Sequence, residues 1–206
     1  MPLDPDTLLA SSMFINASGA IVFSLFWLAD RRLPELALWA VGYVLLTLGL
    51  LGMMFLSSAR YPPALEGGAV FVLCGLSPAC FWLGTRYFDR IRPVWWGPAL
   101  VAGVAPGLHY AVGMTLGWPP TSVVSVTLLL LAVLYALDTH VLVRGIGRDP
   151  ALPGSWPVSR TVVAACVALY CLSFLVSALV TWWGGGSESD AEAASVVIVS
   201  VVDNLL

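Results

Sequence analysis

Runs of about twenty apolar residues alternate along this chain with short connections rich in proline, glycine and charge. A helix needs about 20 such residues to cross a hydrocarbon core about 30 Å thick. Six stretches reach that length: 7–29, 35–57, 65–85, 94–115, 121–143 and 158–183. Breakers separate them, among them Arg32-Leu33-Pro34, Tyr61-Pro62-Pro63, Arg92-Pro93 and Trp118-Pro119-Pro120, and Gly184-Gly185-Gly186 closes the sixth. A seventh apolar run, 193–206, ends at Leu206 after 14 residues. Its rise of about 21 Å falls short of a crossing, so it reads as the start of a seventh helix. The pattern predicts an all-α, polytopic transmembrane bundle of six full helices plus the start of a seventh. The whole of 1–206 forms one membrane-embedded domain on this reading.

Charge gives the bundle a direction. The chain has no lysine, and eight of its nine arginines fall in alternate connections. Arg31 and Arg32 follow the first run, Arg86, Arg90 and Arg92 the third, and Arg144, Arg148 and Arg160 the fifth. Arg60 stands alone on the other side, where residues 187–192 are purely acidic. Positive loops resist translocation, so the arginine-rich side is expected to be cytoplasmic and the N-terminus outside. That is the layout of a multi-pass protein of the bacterial inner membrane. Tryptophans at the run ends agree: Trp27, Trp39, Trp82, Trp95, Trp96 and Trp156 on the arginine side, Trp118, Trp182 and Trp183 on the other. Composition fits as well, with 59% hydrophobic and 10% charged residues and a mean hydropathy of +0.91. The lack of lysine excludes a retinal Schiff base. Nothing in the composition points to nucleic acid.

Several local patterns look familiar together. They are Leu3-Asp4-Pro5 before the first run, Leu-Trp-Ala-Val-Gly-Tyr-Val-Leu-Leu at 38–46 with Gly49, and Trp-Leu-Gly-Thr-Arg-Tyr-Phe-Asp-Arg at 82–90. The chain resembles the N-terminal integral-membrane sensor regions of bacterial GGDEF-class diguanylate cyclases. The resemblance implies an input domain that passes a ligand or membrane signal through its last helix to a cytoplasmic output domain. It also implies a homodimer and cyclic di-GMP as the output. No GGDEF sequence is present, so no catalytic residue carries over. The alternatives are a small transporter or channel, or an accessory membrane subunit.

Candidate chemistry is sparse. His109 and His140 differ in depth by roughly 15 Å on helix rise, a poor geometry for two axial ligands of one haem. No cofactor motif is evident, although a haem held by His109 with some other second ligand stays open. Otherwise His109 is expected in an interhelical hydrogen bond. Cys74, Cys80, Cys166 and Cys171 are spaced so that neither pair shares a helix face, and they read as packing residues rather than metal ligands. Ser77-Pro78 reads as a kink whose serine bonds back to the backbone. Asp138 is expected to pair with Arg86, Arg90 or Arg144. The polar set Asn16, Glu66, His109 and Asp203 is the expected ligand site. Glu66 lies near the outer surface, His109 about 8 Å deep, and Asn16 and Asp203 roughly 14–15 Å down. An outward-opening pocket for a small-molecule signal would account for all four.

Overall fold

Proline and glycine set the ends of the helices. The computed structural model describes residues 5–56, 62–90, 96–145 and 156–183. These form α1 (Pro5–Ala29), α2 (Pro34–Leu56), α3 (Ala64–Phe88), α4 (Trp96–Thr115), α5 (Pro120–Gly145) and α6 (Trp156–Trp183). Among the described residues there is no strand. Three of the helices begin on proline, whose missing N–H costs nothing in the first turn. Between α1 and α2 the Asp30 carboxylate accepts the Arg32 backbone N–H at 3.0 Å and fixes the turn. At the end of α4, Gly117 takes φ +71°. The Trp118 and Gly117 amides then donate back to the carbonyls of Gly113 and Met114, at 3.0 and 3.3 Å. This left-handed closure needs glycine, and Pro119 stops any continuation.

Five of the six helices are long and apolar enough to cross a membrane, namely all but α4. The sequence pattern gives six. The shortfall has a composition behind it: α4 carries Gly97, Pro98, Gly103, Pro106, Gly107, His109 and Gly113 among its 20 residues. The outer faces of the helices carry large apolar side chains, including Phe14 and Phe55 at 74% and 75% exposure. So much open apolar surface suits lipid rather than water. The seventh run, 193–206, lies outside the described residues.

Neighbours in sequence are neighbours in space. Each helix packs on the next, except that α3 also touches α5. Among the described residues, α1 comes close in backbone only to α2, and α6 only to α5. The centre is therefore α3, flanked by α2, α4 and α5. Around its N-terminal half lies the core of Val70, Phe71, Cys74, Tyr110, Val123 and Leu131. Tyr110 is wholly buried, and its hydroxyl donates to the Pro62 carbonyl at 3.0 Å, tying α4 to the entry of α3. At the other end an aromatic ladder joins α1, α2 and α3. Phe23 stacks on Tyr43 at 5.4 Å and meets Trp39 edge-on at 5.5 Å, while Tyr43 meets Phe81 at 4.9 Å. Trp39 thus packs between helices, where the sequence suggests only a headgroup anchor.

At its glycines the contact between α3 and α4 brings backbone against backbone. A Cβ placed on Gly103 would sit 3.0 Å from the Gly75 carbonyl, and one on Gly68 would sit 3.0 Å from the Gly107 carbonyl. The reciprocal approaches, from Gly75 and Gly107, are closer still. Helices in lipid associate through such close packing because burial of apolar surface provides no drive there.

Candidate functional site

His109 on α4 makes a polar link to α5 that involves two side chains. Its Nδ1 lies 3.1 Å from Thr127 Oγ1. Thr127 is fully buried and donates its single hydroxyl proton to the Val123 carbonyl at 2.8 Å. The threonine oxygen can then only accept, so Nδ1 is the donor. Neutral His109 is left with a lone pair on Nε2. The ring is half-buried, 6.1 Å from the Trp118 indole and about 9 Å below the end of α4 by helix rise. The interhelical bond expected of His109 is present. Its second nitrogen could accept a hydrogen bond from a ligand or coordinate a metal. Among the described residues no group of three metal-ligating side chains surrounds it.

The other expected site residues do not gather around His109. Asn16 is buried on α1, but its Nδ2 donates to the Ser12 carbonyl of its own helix at 2.8 Å. α1 approaches α2 alone, so Asn16 and His109 sit on helices that do not touch. Glu66 is exposed in the first turn of α3. Asp203 lies outside the described residues. Asn16, Glu66 and His109 share no hydrogen bond among the described residues. His140 is exposed on α5, away from any haem site shared with His109.

The cysteines pack. All four are free thiols, and Cys74 and Cys80 are buried. Cys74 fills the space left by Gly49 on α2. Cys171 donates to the Ala132 carbonyl at 3.3 Å and sets the register of α6 against α5. In the same register Tyr135 stacks on Tyr170 and on Phe174, both at 5.5 Å.

Two expectations fail. Ser77 is fully buried, yet its hydroxyl has no partner among the described residues and does not bond back to the backbone. Without a histidine beside it, it is no activated nucleophile. Asp138 does not pair with Arg86, Arg90 or Arg144. It is 1% exposed, and neither carboxyl oxygen has a partner among the described residues. Arg86 instead lies over the Trp82 ring, 4.7 Å from its centroid, a cation–π contact. The reason lies in helix rise and facing. Asp138 is about 10 Å short of the end of α5 and points into the protein, whereas Arg144 is exposed at that end.

Comparison with known protein families, with curated proteins and with solved structures gives no match to this chain. The fold is thus established as an all-helical body with at least five helices suited to a membrane, and its function rests on the geometry alone.

Proposed function

We propose that this chain is a membrane-embedded sensory input domain of a bacterial inner-membrane protein. A small molecule or a membrane change received in its outer half alters how α5 and α6 sit on the other helices. The last helix passes that change to a cytoplasmic output domain, with a diguanylate cyclase as the expected output and a homodimer as the working unit. In this proposal α4 is the sixth span, the N-terminus is outside, and the arginine-bearing ends are cytoplasmic. The observation that carries the reading is the His109–Thr127 hydrogen bond. It joins α4, which is held tightly to α3, to α5, which carries α6. It lies in the outer half beside an indole and keeps a free acceptor nitrogen. A ligand that binds Nε2 differently in two arrangements of α4 and α5 would shift the balance between them.

The whole protein, expressed in bacteria, tests this through cyclic di-GMP levels. His109→Ala is expected to change the level or its response several-fold, while His140→Ala, on the exposed face of α5, leaves both unchanged. Equal output from wild type and His109→Ala would remove the sensory reading. A second reading, a small cation or proton transporter, draws on the unpaired interior carboxyl of Asp138. Dissipation of an ion gradient by purified protein in liposomes would favour it.

A further inference from the structure

Ser12, Ser77, Ser125, Asp138 and Ser177 are buried and carry oxygens with no hydrogen-bond partner among the described residues. Four are hydroxyls, each costing about 1–3 kcal/mol when buried unpaired, less than a bare carboxylate would. Asp138 is the only carboxyl, and it is 1% exposed. A carboxylate in such a place costs several kcal/mol unless a proton, a counter-ion or water compensates it.

Among the described residues the surroundings supply no counter-ion. On α5 itself, Tyr135, His140 and Arg144 are the titratable or charged residues within two turns, and none bonds to Asp138. On α3, Arg86 lies about 7 Å nearer the helix end by rise and is engaged with the Trp82 ring. The part of α4 that reaches this level, from Trp96 towards Leu108, has no titratable side chain. On α6 the register places Asp138 opposite Ala165 and Cys166, with Tyr170 a turn further on. Ala164, Ala165 and Ala168 make that stretch of α6 small, so room for the carboxyl exists without a partner for its charge.

We propose that Asp138 is a reversible proton-binding site in the interior of the helix body, occupied by a proton at rest. Helix rise puts it about 10 Å, or two turns, from the arginine-bearing end of α5, against about 27 Å from the other end. Exchange with that nearer face is thus the short path. Loss of the proton leaves a bare carboxylate that must draw in water or a cation, and the contact of α5 with its neighbours must loosen to admit it. The inference goes beyond the sensory reading and does not depend on it.

Infrared spectroscopy of the purified protein in lipid bilayers tests it directly. The wild-type protein is expected to show the carbonyl stretch of a protonated carboxylic acid. That band should shift when aspartate is labelled with carbon-13, disappear reversibly at alkaline pH, and be lost in Asp138→Asn. Asp138→Glu keeps an acid in place, so the band should persist there and become insensitive to labelled aspartate. This second variant retains the test should Asp138→Asn fail to fold. Absence of the band at every pH, a band that never titrates, or one unchanged in Asp138→Asn would each overturn the proposal.

Discussion

At its glycines α3 meets α4 backbone to backbone, whereas α5 meets α6 through side chains. In the first contact Gly75 faces Gly103 and Gly68 faces Gly107, with no room for a methyl group between them. A carbonyl has no rotamer to escape into, so that pair has one arrangement. In the second, Tyr135 lies between Tyr170 and Phe174, and Cys171 reaches the Ala132 carbonyl. Stacked rings can slide at small cost, and thiol hydrogen bonds are weak. Ser177 and Asp138, on these two helices, also keep buried oxygens unpaired. The difference separates a contact held by backbone, α3 on α4, from one held by side chains, α5 on α6. The sensory role proposed above needs both.

The largest expected effect comes from filling the glycine contact. Gly75→Ala places a Cβ on the Gly103 carbonyl, which cannot turn aside. Overpacking of that kind costs about 1–3 kcal/mol, and backbone on both sides puts it near 3. Gly97→Ala on α4 is the control, since nothing lies within 4 Å of its added Cβ. It should be neutral or stabilise by about 0.5–1 kcal/mol through helix propensity alone. Unfolding in mixed detergent micelles reads both. Equal stability of the two variants would mean that α3 and α4 are not locked together.

Next comes the side-chain contact. Tyr135→Leu removes two stacked pairs at once, each worth about 0.5–1.5 kcal/mol. The expected loss is therefore about 1–3 kcal/mol, with the α3–α4 contact untouched. Hydrogen exchange should then rise in α6 and not in α3. Exchange rising equally in both would show that the molecule behaves as one cooperative unit and that the division drawn between the two contacts is wrong.

The helices themselves were legible in the chain because lipid imposes one rule. Every backbone group must be satisfied within the segment, and each segment must be about 20 residues long. The expected 35–57 and 121–143 became Pro34–Leu56 and Pro120–Gly145. Which face of each helix packs was far less legible. These helices are apolar nearly all round, so no stripe marks the inner side. The Gly103 and Gly107 pair, four residues apart, is the signal that was present for α4. Asn16 and His109 were placed in one site by depth alone, and depth says nothing about which helices touch. Asp138 fell to the same blindness: its level suggested arginine partners, while its facing, set by α5 packing, turned it inward.

The smallest expected effect concerns the joint between the two parts. The His109–Thr127 bond links α4 to α5 through two side chains. Interhelical hydrogen bonds in membrane proteins average about 0.6 kcal/mol in double-mutant cycles, because the separated helices find other partners. His109→Ala, Thr127→Val and the double variant should give a coupling of about that size. Thr127→Val keeps the shape, removes the oxygen that orients the ring, and frees Nδ1. If the joint matters for signalling, Thr127→Val should shift output in the same direction as His109→Ala despite its small effect on stability. A coupling near zero, together with normal output from Thr127→Val, would mean that α4 and α5 communicate through packing alone, and the role proposed for His109 would fail.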